Sequence, residues 1–178
     1  MTIATSWGLN RLEGPANYQT TQQLIHILVD NVAFGGVLVL NVGPAADGSI
    51  IPLQEERLLE MGQWLKVNGE AIYYTKPWSV AQHVLASVAG AEVFYTESKT
   101  GGVVFAIMTG WPETNKLKLS DVHAKPETKM AMLAGANGTQ PLPLRFSAAR
   151  AGVTVELPVL TVGQLPCEHA WAIRIEGL

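Results

Sequence analysis

The stretch that decides the fold is "GGVLVLNVGPAADGSIIPLQEERLLEMGQWLKVNGEAIYYTKPW", residues 35–78. Residues 37–42 are apolar at nearly every position, the pattern of a strand buried on both faces of a parallel sheet. Gly43-Pro44 and Asp47-Gly48 mark a loop after it. Residues 53–65 then read as a helix, with Leu58, Met61 and Leu65 on one face. Gln54, Glu55 and Glu56 sit near its start, where acidic groups meet the positive end of the helix dipole. This order suits the end of a catalytic α/β unit, yet no obvious acid, base or nucleophile sits in it.

Upstream, Thr20 followed by Gln23 is a capping-box pattern. Leu24, Ile27, Leu28 and Val32 continue at helical spacing, and Gly35-Gly36 ends the helix. Helix, buried strand, helix is a piece of a βα-repeat architecture. A complete (β/α)8 barrel takes roughly 250 residues, so this piece is incomplete. Downstream the texture changes. "VFYTESKTGGVVFAIM" places two β-rich runs around a Lys-Thr-Gly-Gly turn, a hairpin signal. "KLKL", "MAML", "VTVEL" and "WAIRI" are further short strands, together predicting an antiparallel β-sandwich. The joint falls at Pro77-Trp78, giving two parts, residues 1–78 and 79–178.

The bulk properties narrow the partners. The chain has 178 residues, 48% hydrophobic and only 15% charged, enough for a core and no case for disorder. The net charge of −3 comes without a Lys/Arg cluster, which argues against nucleic acid and anionic membrane. The apolar run at 37–42 is far too short to span a bilayer. Cys167 is the only cysteine, so no internal disulfide forms and the redox compartment stays open. "MTIATSWG" has neither a basic n-region nor a long apolar stretch, so it is no signal peptide. It reads like the inside of a domain, with Met1 an internal methionine or the edge of a truncated reading frame.

The candidate chemistry is sparse. His26 lies beside the apolar face of the first helix and reads as a packed or rim histidine. His83, His123 and His169 have no partner at metal-ligand spacing, and Cys167-x-His169 alone is too thin for zinc, which takes four ligands. Ser6 lacks a Gly-x-Ser-x-Gly setting, and Gly43-x-x-x-x-Gly48 lacks the lysine of a phosphate loop. Asp47 sits just past the C-terminal end of the apolar run, where barrel enzymes place catalytic groups, but it reads first as a turn aspartate before Gly48. Glu70 reads as a helix-end residue. No two carboxylates pair as acid and nucleophile. Most of Trp7, Trp64, Trp78, Trp111 and Trp171 read as packing. Trp7 differs, because Ser-Trp-Gly-Leu-Asn is loop-like and a flat ring there could meet an apolar sugar face. Asn137-Gly138-Thr139 is both a glycosylation sequon and a tight-turn sequence.

Five segments carry a resemblance: "SWGLNR" (6–11), "LIHILVDNVAFGGVLVLNVGPAADGSI" (24–50), "ERLLEMGQWLKVNGEAIYYTKPW" (56–78), "VFAIMTGWP" (104–112) and "HAWAIRIEGL" (169–178). Taken in this order the chain resembles the α-L-fucosidases of glycoside hydrolase family 29, most closely the animal lysosomal type. The resemblance implies the C-terminal end of a (β/α)8-like barrel (1–78) followed by an antiparallel β-sandwich (79–178). It implies retaining hydrolysis of terminal α-L-fucosyl bonds without a metal or organic cofactor, by an Asp nucleophile and a Glu acid/base. Those two belong to earlier barrel strands, so no catalytic residue is expected in this chain and it is expected to be inactive alone.

The resemblance makes Trp7 a wall of the fucose pocket and Asn41 and Asp47 structural. Fucosylated glycans are the implied partners, with a homo-oligomer of the full-length parent left open and a lysosomal or secreted location, to which the Asn137 sequon adds slightly. Two departures stand out: Gly35-Gly36-Val37 where the family has Gly-Gly-Asn, and Leu9 where it has Tyr. Two other readings stay open, a non-catalytic glycan-binding module and an inactive remnant. For the latter, open strand edges predict aggregation or partial disorder of residues 1–78.

Overall fold

The computed structural model describes residues 1–80, 83–85, 92–134 and 140–178. Helix α1 spans Thr21–Ala33. Its capping box forms as the sequence indicates: Thr20 Oγ1 accepts from the Gln23 amide at 3.2 Å, and Gln23 Oε1 accepts from the Thr20 amide at 2.9 Å. Gly35, at φ 78°, supplies the left-handed turn that ends it. The buried face carries Leu24, Ile25, Val29 and Ala33, with Leu28 and Val32 packed at its edge.

Helix α2 spans Pro52–Asn68, three residues longer at its C-terminal end than the sequence reading, with proline at its first position. Its inward residues are Gln54, Met61, Trp64 and Asn68. Leu58 and Leu59 face outward, so the expected Leu58–Met61–Leu65 face is turned toward Trp64 and Asn68. Two buried polar side chains in the stripe explain the misreading, because a search for apolar periodicity passes over them.

Ten strands follow: β1 Thr75–Pro77, β2 His83–Leu85, β3 Glu92–Ser98, β4 Val103–Met108, β5 Lys116–Leu119, β6 Lys129–Met132, β7 Leu142–Pro143, β8 Arg145–Ala149, β9 Gly152–Glu156 and β10 Trp171–Glu176. Among the described residues they form two antiparallel sheets. The larger runs β1-β3-β4-β10-β6-β7, with β2 also on β3, and the smaller runs β5-β9-β8. The predicted hairpin is β3–β4. Its turn uses Gly101 and Gly102 at φ 79° and 77°, a left-handed pair that glycine adopts without steric cost. Consecutive β7 and β8 lie in different sheets, so residues 142–149 pass from one layer to the other. Pro77 ends an edge strand, where its missing N–H costs no ladder bond. Trp78 is buried beside Tyr95, ring centroids 5.2 Å apart.

The larger sheet is covered on both faces. One face gives Phe94, Phe105, Ile107 and Ala172 to a core shared with α1 and α2. The other gives Tyr95, Met108, Ile173 and Ile175 to a core shared with Leu117, Leu119, Val153 and Val155 of the smaller sheet. Two-sided burial explains the near-continuous apolar sequence of β4 and β10. Residues 37–42 carry the same pattern with a different outcome. They join no ladder of named strands, and Val37 and Val39 are 84% and 71% exposed. Their backbone partners are residues 1–3: the Ile3 amide donates to the Asn41 carbonyl at 3.0 Å and the Asn41 amide to the Met1 carbonyl at 2.9 Å. No second neighbouring strand covers them among the described residues.

Polar bonds tie the helices to the sheet. Trp64 Nε1 donates to the Ala170 carbonyl at 2.8 Å, and the Ala172 amide donates to Asn68 Oδ1 at 3.1 Å. Ladder pairing of β10 with β6 starts one residue later, at Ile173, so Asn68 takes the place of a missing strand. Thr96 Oγ1 donates to the Ala71 carbonyl at 2.8 Å, and His26 Nε2 lies 2.9 Å from the His169 carbonyl. Helices α1 and α2 are thereby ordered on the sheet. We predict that Asn68→Ala, which orphans a buried backbone N–H, lowers the unfolding free energy by about 2–3 kcal/mol in urea titrations.

Candidate functional site

The candidate surface is built where residues 1–10 meet the exit of the apolar run. Ile3 is fully buried and bonded to both sides: its amide donates to Asn41, and its carbonyl accepts from the Gln19 amide at 2.9 Å. From that anchor the chain turns outward into residues 6–10, and Trp7 stands 66% exposed. The loop backbone is nevertheless held. Asn41 Nδ2 donates to the Trp7 carbonyl at 2.6 Å and to Thr2 Oγ1 at 3.0 Å. The Ser6 amide donates to Glu13 Oε1 at 2.8 Å, and Asn10 Nδ2 to Ser6 Oγ at 3.3 Å.

Gly43 lies directly beneath. A Cβ there would come within 2.5 Å of the Leu9 nitrogen and 2.6 Å of the Gly8 carbonyl carbon, so only glycine lets the two backbones approach. Gln54, 1% exposed, fixes Gly43 in turn: its Oε1 accepts from the Gly43 amide at 3.1 Å and its Nε2 donates to the Gly43 carbonyl at 3.4 Å. The first turn of α2 therefore positions the Trp7 loop through one buried side chain. Ser6 is a structural part of the loop, with no histidine or other base among its printed partners.

The remaining candidates take structural places. Asp47 Oδ1 accepts from the Ser49 hydroxyl at 2.7 Å and amide at 3.0 Å, and these bonds hold its carboxyl below the usual range. It is a turn aspartate. Its contribution is present above the ordinary aspartate range and is lost as pH falls through its lowered value. Asn41 is a hydrogen-bonding strut, as expected. Glu70 accepts from Arg174 Nε at 3.0 Å. Cys167 Sγ donates to the Ala170 carbonyl at 3.2 Å and accepts from Asn68 Nδ2 at 3.3 Å. Burial pushes this thiol up to about 11, helped by Glu168 and opposed by the Asn68 bond, which makes it a poor nucleophile. Among the described residues, no three His, Cys, Asp or Glu side chains are placed to share a metal ion, and no helix is long and apolar enough to cross a membrane. Asn137 lies outside the described residues.

Sequence reasoning picked out Trp7 from its loop-like setting and missed Glu13, Gly43 and Gln54. Gln54 resembles any solvated residue in a first helical turn, and no one-dimensional pattern distinguishes a glutamine that caps a distant backbone. The assembled surface offers a flat ring on a braced loop and no acid/base pair, which suits contact with a ligand and not bond cleavage.

Comparison with known proteins bears on what that contact serves. Residues 1–70 match the family described as Alpha-L-fucosidase, and residues 87–176 the family described as Alpha-L-fucosidase C-terminal domain. An alpha-L-fucosidase of Branchiostoma floridae is 40% identical over 97% of this chain and 36% of its own length. A human plasma alpha-L-fucosidase is 39% identical over 97% of this chain and 36% of its own. The crystal structure of Thermotoga maritima alpha-fucosidase in complex with fucose superposes with a TM-score of 0.80 at 31% identity, covering 98% of this chain and 38% of that one. The chain thus spans little more than a third of the length of the curated relatives it matches.

Two measurements check the site's construction. Gln54→Ala leaves the Gly43 amide and carbonyl buried without partners. It is expected to cost about 1–3 kcal/mol and to accelerate amide exchange at residues 7–9. Cys167, raised from 9.0 to about 11, is expected to alkylate about a hundredfold more slowly at pH 8 in the folded chain than in urea, following its thiolate fraction. Because the folded value is the higher one, that stabilisation is present at neutral pH and lost as pH rises through about 11.

Proposed function

The chain belongs to the α-L-fucosidase family, and from that premise we propose that it is the C-terminal portion of a retaining α-L-fucosidase. In this reading residues 1–78 are the terminal βα units of a (β/α)8-like barrel and residues 79–178 the β-sandwich that follows it. The Asp nucleophile and the Glu acid/base are supplied by a part of the family fold outside these 178 residues. The whole protein cleaves terminal α-L-fucosyl bonds by double displacement, without a cofactor. Its substrates are fucosylated glycans, and its location is lysosomal or secreted, in keeping with a relative named for plasma.

One observation carries the role of this chain: the Trp7 ring is two-thirds exposed while its backbone is fixed by Asn41 and Gly43. An exposed indole on a mobile loop is a surface accident; one held by buried struts is preorganised for contact. Fucose has an apolar face with a C5 methyl, and a rigid aromatic wall suits it. Asn137 is the proposed glycosylation site.

The 178-residue chain alone is expected to show no turnover of an aryl α-L-fucoside, and robust turnover would refute the assignment of the catalytic acids elsewhere. In the whole protein, Trp7→Ala is expected to lower kcat/KM about ten- to a hundredfold, chiefly through KM. An unchanged kcat/KM would remove Trp7 from the pocket.

A further inference from the structure

A second concave surface lies on the larger sheet. Helices α1 and α2 cover the face that carries Phe105, Ile107 and Ala172, and α2 ends near Glu70, bonded to Arg174. Beyond that point the same face is open. Arg174 stands opposite Ala131, which stands opposite Pro143, while Glu176 stands opposite Lys129. A small residue between Arg174 and Pro143 leaves a floor, and no helix fills it. Leu144 and Phe146, on the segment that passes between the sheets, line the far wall. The Leu144 amide donates to the Met130 carbonyl at 2.9 Å, so this wall is fixed to β6. The groove holds about 430 Å³, within the range of small-molecule sites.

Its chemistry is specific. One wall is apolar and includes an aromatic ring. The other is a charge network: Arg174 bridges Glu70 and Glu176, and Lys129 lies across the strand pair from Glu176. Two cations and two anions sum to zero, so the groove offers no net attraction to an ionic ligand. It offers charged donors and acceptors side by side, which hydrogen-bond neutral hydroxyls more strongly than uncharged groups do. A neutral molecule with one apolar face and several adjacent hydroxyls meets both walls.

We infer that the groove bounded by Lys129, Ala131, Phe146, Arg174 and Glu176 binds one or two units of a neutral saccharide, at a site separate from Trp7. The groove and the Trp7 loop share no residue, so sugar recognition on the sheet does not depend on the fucosidase reading of residues 1–78. In an enzyme acting on glycans this site holds a branch of the substrate or a neighbouring chain.

The test is a titration of the 15N-labelled 178-residue chain with free fucose and with lactose, using glucuronate as the charged control. Saturable, millimolar shifts at the amides of Lys129, Ala131, Leu144, Phe146 and Arg174 are expected with a neutral sugar and weak or absent ones with glucuronate. Phe146→Ala is expected to weaken binding about fivefold or more. The exposed Lys129→Ala, which spares the core, is expected to weaken it as well. Trp7→Ala should leave these shifts in place, which separates this site from the proposed fucose pocket. Shifts confined to residues near Trp7, equal shifts with glucuronate, or none at these amides would overturn the proposal.

Discussion

Two side chains on one turn of α2 hold the molecule's layers together. Trp64 and Asn68 reach the start of β10 and bond to Ala170 and Ala172, where the strand has not yet acquired its neighbour on the β6 side. Both are buried, so each bond forms where water cannot substitute, and losing it leaves a backbone group unpaired. The next residues of the same strand, Ile173 and Ile175, pack into the opposite core. β10 is therefore the shared wall of two cores, and α2 fixes its entry.

The same helix braces the candidate contact surface from its other end. Gln54 in the first turn grips Gly43, Gly43 admits the Gly8-Leu9 backbone, and Asn41 holds the Trp7 carbonyl. Trp7 thus stands at the end of a chain of contacts that runs along α2 to the sheet. The stability of the sandwich and the placement of the exposed indole have a common support. An enzyme that delivers an aromatic wall from one part of its chain to a pocket completed by another needs such a support, because small displacements at a binding wall are costly.

Much of this was legible in the sequence. The Thr20–Gln23 capping box, the Lys-Thr-Gly-Gly hairpin turn and the strands at 116–119, 129–132 and 171–176 follow from local signals that act within a few residues. What escaped depends on distant partners. Residues 37–42 and β4 read alike as apolar runs, yet one is open and the other doubly covered, because burial is decided by what packs alongside. Strands β1, β7 and β8 are short or turn between sheets and carry no clear alternation. Of the site, Trp7 showed through its loop-like context; Gln54 and Glu13 did not, because a polar residue that braces a remote backbone looks like one that faces solvent.

Open edges predicted disorder of residues 1–78, whereas the shared core makes α1 and α2 part of the same cooperative unit as the sheets; the exposure that remains is at Val37 and Val39. The most direct test is urea unfolding of the chain followed both by helical circular dichroism and by tryptophan fluorescence. A single coincident transition is predicted, since Trp64, Trp78 and Trp171 report on cores that β10 joins. Loss of helix at a clearly lower urea concentration than loss of the tryptophan signal would contradict the account.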